Sequence, residues 1–465
     1  MAAVIAVVLV ASACGASEDA AEDEPDGGDT TQVEAQAEGS FGDLTDLCGD
    51  GDVRVQEDQQ GVDNGKLNIG VATDRASDLR PGLNREVWDS SVAFAEWCNE
   101  QGGIGGLEIN LVELSAALLN VEAAMTTACN DVFAMVGGGL AQDNLQFSGN
   151  DGSDFHRCGM IDLPAFTASG EKSGSNGLVQ VISNTPDTEL NSVYRVHQQL
   201  HPEEAESAVI VYGELPTMET VRDKYAAALT DVGIEVVGTV SYAMAGVAAW
   251  VPYAREVMAT GARTLTYVGE PENLANLLAR LHEQGWDGIP VLNSNTYDEQ
   301  LFGAGTDGPE GALVRMPAHP FEEADEWPAT QQYLDEVTGR VPDARTSLLG
   351  IQSWSSWLLF VTAANRCAAA NDGLLDRTCI LEEAATEEDW TGGGLHAPQD
   401  LGPHDEISVS PCTAVMIVRD GEFERLHPEI GGEGDEDGDG FYCPEGGVTE
   451  IEGADNGVVD PSRLI

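Results

Sequence analysis

The acidic run Asp435-Glu436-Asp437-Gly438-Asp439-Gly440 places carboxylates at positions one, three and five and glycine at position six. That is the front half of a loop that wraps a hard cation such as calcium. Gly446 stands at position twelve, where such a loop closes with Glu. Asp435, Asp437 and Asp439 are therefore either a calcium loop or part of an acidic solvated segment. Other catalytic or metal chemistry is scarce. The eight His are scattered; His396 and His404 share a loop with Asp400 and Asp405 and read as solvated residues. Gly137-Gly138-Gly139 lacks the third glycine of a dinucleotide fingerprint, and no phosphate-binding loop or G-x-S-x-G motif occurs. No nucleophile–base pair is legible. The chain does not read as an enzyme and calls for no cofactor.

Cysteine supplies the other chemistry. Met1 to Ala13 is apolar and ends in small residues directly before Cys14. The run is too short to span a membrane, which takes about 20 residues, and fits the apolar core of an export signal. The junction resembles a bacterial lipobox, in which a lipid-modified cysteine becomes the first mature residue. It departs in lacking a basic residue ahead of the run and in carrying Ala11 where Leu or Val is usual. Cys14 is thus the expected lipid attachment site. Eight cysteines remain, an even number that favours disulfides in an exported protein, and no C-x-x-C pair suggests zinc.

The 465 residues carry 81 acids against 21 bases, a formal charge of −60. Such a surface excludes nucleic acid and anionic lipid as partners. Residues 15–65 contribute −15 and residues 429–465 contribute −10; subtracting both leaves −35 on the middle of the chain. Only Lys66, Lys172 and Lys224 are lysines. An acid-rich, lysine-poor surface suits a high-salt medium, where self-repulsion is screened.

The middle alternates strands with helices. Strands are expected at 67–72, 107–114, 132–136 and 163–167, with helices at 84–99 and 121–130 and over much of 141–158. A second run has helices at 187–200, 218–232, 251–260 and 273–284 and strands at 208–212, 236–242, 264–268 and 290–292. Repeated βα units with buried strands mean an α/β fold with two doubly wound parallel-sheet lobes.

Three segments make the order specific. Phe94 to Gly106 contains Asn99-Glu100-Gln101-Gly102-Gly103-Ile104-Gly105-Gly106; Gly308-Pro309-Glu310-Gly311-Ala312-Leu313-Val314 follows later; and Asp389-Trp390-Thr391-Gly392 precedes Val415 to Leu426. Together they resemble the leucine/isoleucine/valine-binding protein family of the type I periplasmic-binding fold, over about residues 66–428. The resemblance implies lobes joined by a three-segment hinge, crossing near 182–188, 294–302 and 372–412. Lobe one would comprise 66–182 and 300–370. Lobe two would comprise 183–299 and, with the hinge return, 371–428. An export signal (1–13) and a lipid-anchored acidic linker (14–65) would precede them, and an acidic tail (429–465) would follow. The tail also resembles the Excalibur-type pattern Asp-x-Asp-x-Asp-Gly-x-x-Cys.

In that topology helix ends and strand starts share each lobe's outer edge, which suggests sequential pairing: Cys48–Cys98, Cys129–Cys158, Cys367–Cys379 and Cys412–Cys443. Ligands bind beyond the carboxyl ends of the strands, here between the lobes. On lobe one, Leu140 and Gln142 lie in the loop opening the third helix, whose free N–H groups suit a carboxylate. Thr167, Ala168 and Ser169 match the place where the family supplies head-group contacts, and Arg80 is either a carboxylate partner or a solvated side chain. On lobe two, Thr217 and Glu270 occupy places where the family sets aromatics, and Asn295 falls where it sets a carboxylate for an ammonium. Glu270 or Asp298 would replace that carboxylate, or the ligand is no α-amino acid; an amide, a urea-like molecule or an aromatic acid stays open.

The resemblance implies an extracytoplasmic, membrane-anchored lipoprotein, monomeric, that delivers a small polar molecule to the permease of an ABC importer. That molecule would be a branched-chain amino acid or a related amide, urea or organic acid. The alternative is a ligand-sensing receptor subunit on the same fold, although the sequence has no apolar stretch of about 20 residues to span a membrane.

Overall fold

Leu67, Ile69, Val71 and Ala72 are all buried, so the first long strand is covered on both faces, as a parallel strand between helix layers must be. The computed structural model describes residues 39–56, 59–144, 158–175, 177–243, 246–402 and 408–453. The expected export signal, Cys14, most of the helix expected at 141–158, His404 and Asp405 lie outside the described residues.

Lobe one is built on β1 (Val62–Asp63), β2 (Lys66–Thr73), β3 (Glu108–Ser115), β4 (Ala134–Val136) and β5 (Asp162–Leu163). Strands β3-β2-β4-β5 are parallel neighbours, and β1 folds back antiparallel on the start of β2. The helices Arg85–Glu100 and Leu348–Ala370 pack together beside this sheet. The second of these is buried around most of its circumference. Phe94, Trp97, Trp354 and Trp357 meet there with ring centroids 5.1–6.0 Å apart. No helix among the described residues is long and apolar enough to cross a membrane.

The short strand β6 (Thr188–Leu190) follows the first crossing, where the sequence pattern had suggested the start of a helix; the helix itself is Ser192–Leu200. Lobe two then carries β7 (Ser207–Gly213), β8 (Glu235–Tyr242), β9 (Thr264–Val268), β10 (Ile289–Leu292), β11 (Leu313–Met316), β12 (Ala414–Arg419) and β13 (Glu422–His427). Their order is β13-β12-β11-β10-β9-β7-β8, with β12 antiparallel to both of its neighbours and the other strands running in one direction.

Three boundaries differ from expectation. Strand β11 pairs in parallel with β10, so the chain stays in lobe two until after Met316 and does not cross at 294–302. Only the helices from Pro328 onward return to lobe one, against the helix Arg85–Glu100. From residue 39, the segment expected as linker is part of lobe one's core. Phe41 is fully buried, 5.4 Å from the Trp354 ring, because an aromatic side chain gains more by filling that core than chain entropy costs. Within the described part of the tail, Phe441 is buried, and β14 (Val448–Glu450) pairs antiparallel with β6 beside the hinge.

The cysteines pair as expected, Cys48–Cys98, Cys129–Cys158, Cys367–Cys379 and Cys412–Cys443. The glycine triplet has a packing role. A Cβ on Gly138 would stand 2.3 Å from the Ala72 nitrogen, and Gly137, at φ +68°, would press one against the Trp357 indole. The loop after β4 approaches β2 closely only because those side chains are missing. His396 is also corrected: it is buried, with Nε2 2.8 Å from the Ser355 hydroxyl and Nδ1 2.9 Å from the Ala397 carbonyl. Burial pushes its pKa down to about 4, so a neutral imidazole fills that core position.

Candidate functional site

The loops at the carboxyl ends of both sheets enclose a cavity of about 500 Å³. Lobe one lines it with the β2–helix loop (residues 79–84), Glu86, Ala141, Phe166, Thr167, Ala168 and the start of the helix Leu348–Ala370. Lobe two contributes the first turns of the helix Pro216–Asp231, the β9 end with Glu270, the β10 end with Asn293 and Asn295, and Arg315 of β11. The first crossing, with Asn184, Thr188 and Glu189, forms the back.

Of the residues expected at the site, Arg80, Thr167, Ala168, Thr217, Glu270 and Asn295 line this cavity. Leu140, Gln142 and Ser169 do not. Leu140 is buried in a small apolar cluster behind the loop, where its side chain escapes water. The Gln142 amide is turned to the Leu118 carbonyl, 3.4 Å away. Ser169 instead caps the short helix Gly170–Ser173, accepting from the Lys172 N–H.

Several contacts tie the lobes together. Arg80 Nη2 donates to Glu270 Oε2 at 3.0 Å, both side chains largely buried. The Thr217 hydroxyl donates to the Ala141 carbonyl at 3.0 Å. Arg345 pairs with Asp298 and stands 3.6 Å from Glu86. Burial pushes the Glu86 carboxyl up, although Arg345 opposes the shift.

The lobe-one N–H groups that the sequence offered to a ligand are already occupied. Asp74, at the end of β2, accepts from Leu118 N at 2.6 Å and from Ala141 N at 2.8 Å. Asp143 accepts from Ala168 N at 2.7 Å and from Ser169 N at 2.9 Å. Burial raises the pKa of both acids despite these bonds, that of Asp143 to about 6. The Thr167 hydroxyl is likewise given to Gln180, at 2.8 Å.

Sequence reasoning missed two cations of the lobe-two wall. Lys224 is buried there, with Nζ donating to Asn184 Oδ1 (2.7 Å) and the Thr185 carbonyl (2.9 Å) and 3.5 Å from Glu189. Burial pushes its pKa down and Glu189 pulls it back. Arg315 donates from Nε to Asn293 Oδ1 at 2.9 Å. Two signals pointed to these residues: a lysine in a chain that has only three, and an arginine inside the apolar run Ala312 to Met316.

Two lobes of one build, hinged by crossing segments around an enclosed cavity, define a solute-binding protein. The chain matches the periplasmic binding protein family over residues 66–421 and belongs to it, a family of binding proteins and not of enzymes. No curated protein sequence matches the chain. Solved structures agree on the fold. A fatty acid ABC transporter substrate-binding protein from Thermomonospora curvata superposes with a TM-score of 0.68 at 16% identity, covering 85% of this chain and 98% of its own. A solute-binding protein from R. palustris in complex with benzoate gives 0.65 at 11%, covering 84% and 99%. A branched-chain amino acid transporter substrate-binding protein from Streptococcus pneumoniae in complex with isoleucine gives 0.61 at 13%, covering 78% and 100%.

Proposed function

We propose that this protein captures a small organic solute outside the cytoplasm and delivers it to the permease of an ABC importer, acting as a monomer tethered through lipid on Cys14. The observation that carries the reading is the 500 Å³ cavity, lined from both lobes and crossed by the Arg80–Glu270 and Thr217–Ala141 contacts. A volume of that size suits a small molecule, and contacts of this kind form only when the lobes are closed on each other. The three structural relatives, described with a fatty acid, benzoate and isoleucine, support transport of organic acids or amino acids as the general class.

Thermal-shift screening of amino acids, amides, ureas and organic acids tests this function. A cognate solute at 100 times its Kd stabilises the protein by about 2.7 kcal/mol; no shift across the whole panel would count against it. The tether is tested separately: Cys14→Ala should move the protein from the membrane fraction to the medium.

A further inference from the structure

Charge in the cavity wall is balanced with one exception. Glu86, Glu189, Glu270 and Asp298 each face a wall cation: Arg345, Lys224, Arg80 and Arg345 again. The remaining wall carboxylate, Glu272, is exposed to solvent. Glu86 and Asp298 share Arg345, and Glu86 Oε2, on lobe one, is buried without a hydrogen bond, with Arg345 3.6 Å away. Asn295, at the place expected for one, is neutral and donates to the Gly269 carbonyl at 2.9 Å.

Arg315 is the exception. Among the described residues it makes no ion pair, its Nη1 is buried without an acceptor, and its one hydrogen bond is the 2.9 Å contact to Asn293. Asn293 is only 3% exposed. Its oxygen accepts from Arg315, and its amide is also a partner of the Tyr194 and Tyr225 hydroxyls, so it holds the guanidinium in place. A buried donor left unmet is costly. One at the tip of a guanidinium on the cavity wall suits a carboxylate oxygen.

Lobe one points the same way by exclusion. Its loop N–H groups at Ala141 and Ala168 are held by Asp74 and Asp143, and those acids repel a second anion. The rest of the wall combines hydroxyl and amide groups with apolar side chains, among them Leu79, Phe166, Ile182, Met218, Val221 and Leu348.

We propose that the cavity takes a monocarboxylate with an apolar body, its carboxylate held by Arg315 of lobe two, and that it discriminates against zwitterionic α-amino acids. This rests on the solute-binding reading above and assigns the ligand's chemical class. An ammonium beside the carboxylate would stand next to an uncompensated guanidinium on lobe two, while the carboxylate oxygen without a hydrogen bond, on Glu86, belongs to lobe one and already faces Arg345, so the ammonium's desolvation would be poorly compensated.

Calorimetric titration of the full-length protein tests this with matched probes: straight-chain carboxylates of four to ten carbons, benzoate, 4-methylpentanoate, 4-methylpentanamide and leucine. Leucine is 4-methylpentanoate with an added α-ammonium, and the amide is its neutral counterpart. Acids of the set are expected to bind, with leucine and the amide at least about tenfold weaker than 4-methylpentanoate. Arg315→Gln should weaken acid binding by roughly 10–100-fold with little effect on the amide, while Arg419→Gln, outside the cavity, should bind as wild type. Leucine or the amide binding as tightly as the acid, or Arg315→Gln keeping the acid affinity, overturns the carboxylate anchor and leaves solute binding standing. Failure of every probe overturns both. The comparison of probes on the wild-type protein decides the matter even if Arg315→Gln does not fold.

Discussion

Lobe one meets the cavity with backbone N–H groups already bonded to its own acids, Asp74 and Asp143. Lobe two meets it with Lys224, answered by Glu189, and Arg315, answered by no carboxylate. The two lobes share a doubly wound build, so the difference lies in side chains at the strand ends and not in the scaffold. In a protein with a formal charge of −60, a half-buried cation with no carboxylate partner is the rarer feature and the more informative one. The fold supplies a cleft; the charge balance on each side of it decides which part of a ligand can go where.

The most damaging way to break this contrast is to remove lobe two's buried ammonium. Lys224→Met leaves Glu189, which is 9% exposed, without its partner, along with the Asn184 and Thr185 oxygens. Removing one member of a buried pair costs about 3–5 kcal/mol. Chemical denaturation should show a loss of that order, and the double change Lys224→Met with Glu189→Gln should recover part of it.

Next comes the acid that occupies lobe one. Asp143→Asn keeps the shape but offers one oxygen to two N–H groups, so a loss of about 1–3 kcal/mol is expected. Its pH dependence distinguishes this role from simple packing. The folded pKa of Asp143 is raised to about 6 from an unfolded value of 3.8. The folded state therefore holds the proton more tightly, and this residue's contribution is greatest below pH 4 and falls away as pH rises through 6. The stability advantage of wild type over Asp143→Asn should shrink across that window and be flat above it. A difference that does not change with pH would mean that the carboxyl is not titrating in the folded loop.

Much of this was legible in the sequence, and the limits have physical causes. Strand and helix positions followed from apolar periodicity, and the sequential disulfides from which helix ends share an edge. The second crossing was misplaced because Leu313–Met316 is a four-residue strand, too short for periodicity to say which sheet it extends. The ordered stretch from residue 39 was hidden by its acidic composition, although Phe41 and Leu47 enter the core. Arg80 and Glu270 were both singled out, but their pairing joins residues 190 apart in sequence, and nothing local encodes it. Gly139 to Gln142 promised free backbone donors; that Asp74 takes the Ala141 N–H depends on a loop contact 67 residues away.

A smaller effect is expected at the seam between the lobes. Glu270→Gln removes the charge that Arg80 meets, while Asn273, 3.0 Å from Oε2, can still reach the side-chain oxygen. The pair is about 15% exposed, so solvent screens it only in part, and about 1 kcal/mol of the closed form's advantage should be lost. Because ligand binds the closed form, affinity should fall a few-fold to about tenfold, mainly through faster release measured by stopped flow. An unchanged release rate would mean that the Arg80–Glu270 contact does not hold the lobes together.

The least effect is expected in the tail, where the question asked of each lobe recurs: whether a carboxylate is answered by the protein or left for something else. Asp435 is 4% exposed and accepts from Gly431 N at 2.6 Å and Gly440 N at 3.0 Å. Those N–H groups hold its carboxyl below the ordinary range, although burial works the other way. Asp439 accepts from Phe441 N at 3.1 Å, and Arg425 Nη1 donates to the Gly440 carbonyl at 2.6 Å. Together with Cys412–Cys443, these contacts close the loop with the carboxylates turned inward on the backbone. A calcium ion would have to draw both Asp435 oxygens away from those N–H groups. Titration with calcium to millimolar levels, followed by Tyr442 fluorescence, should therefore give no saturable change. A saturable change, lost in Asp437→Asn, would mean that the loop rearranges around the ion and that this carboxylate cluster, unlike those of lobe one, is kept for a cation.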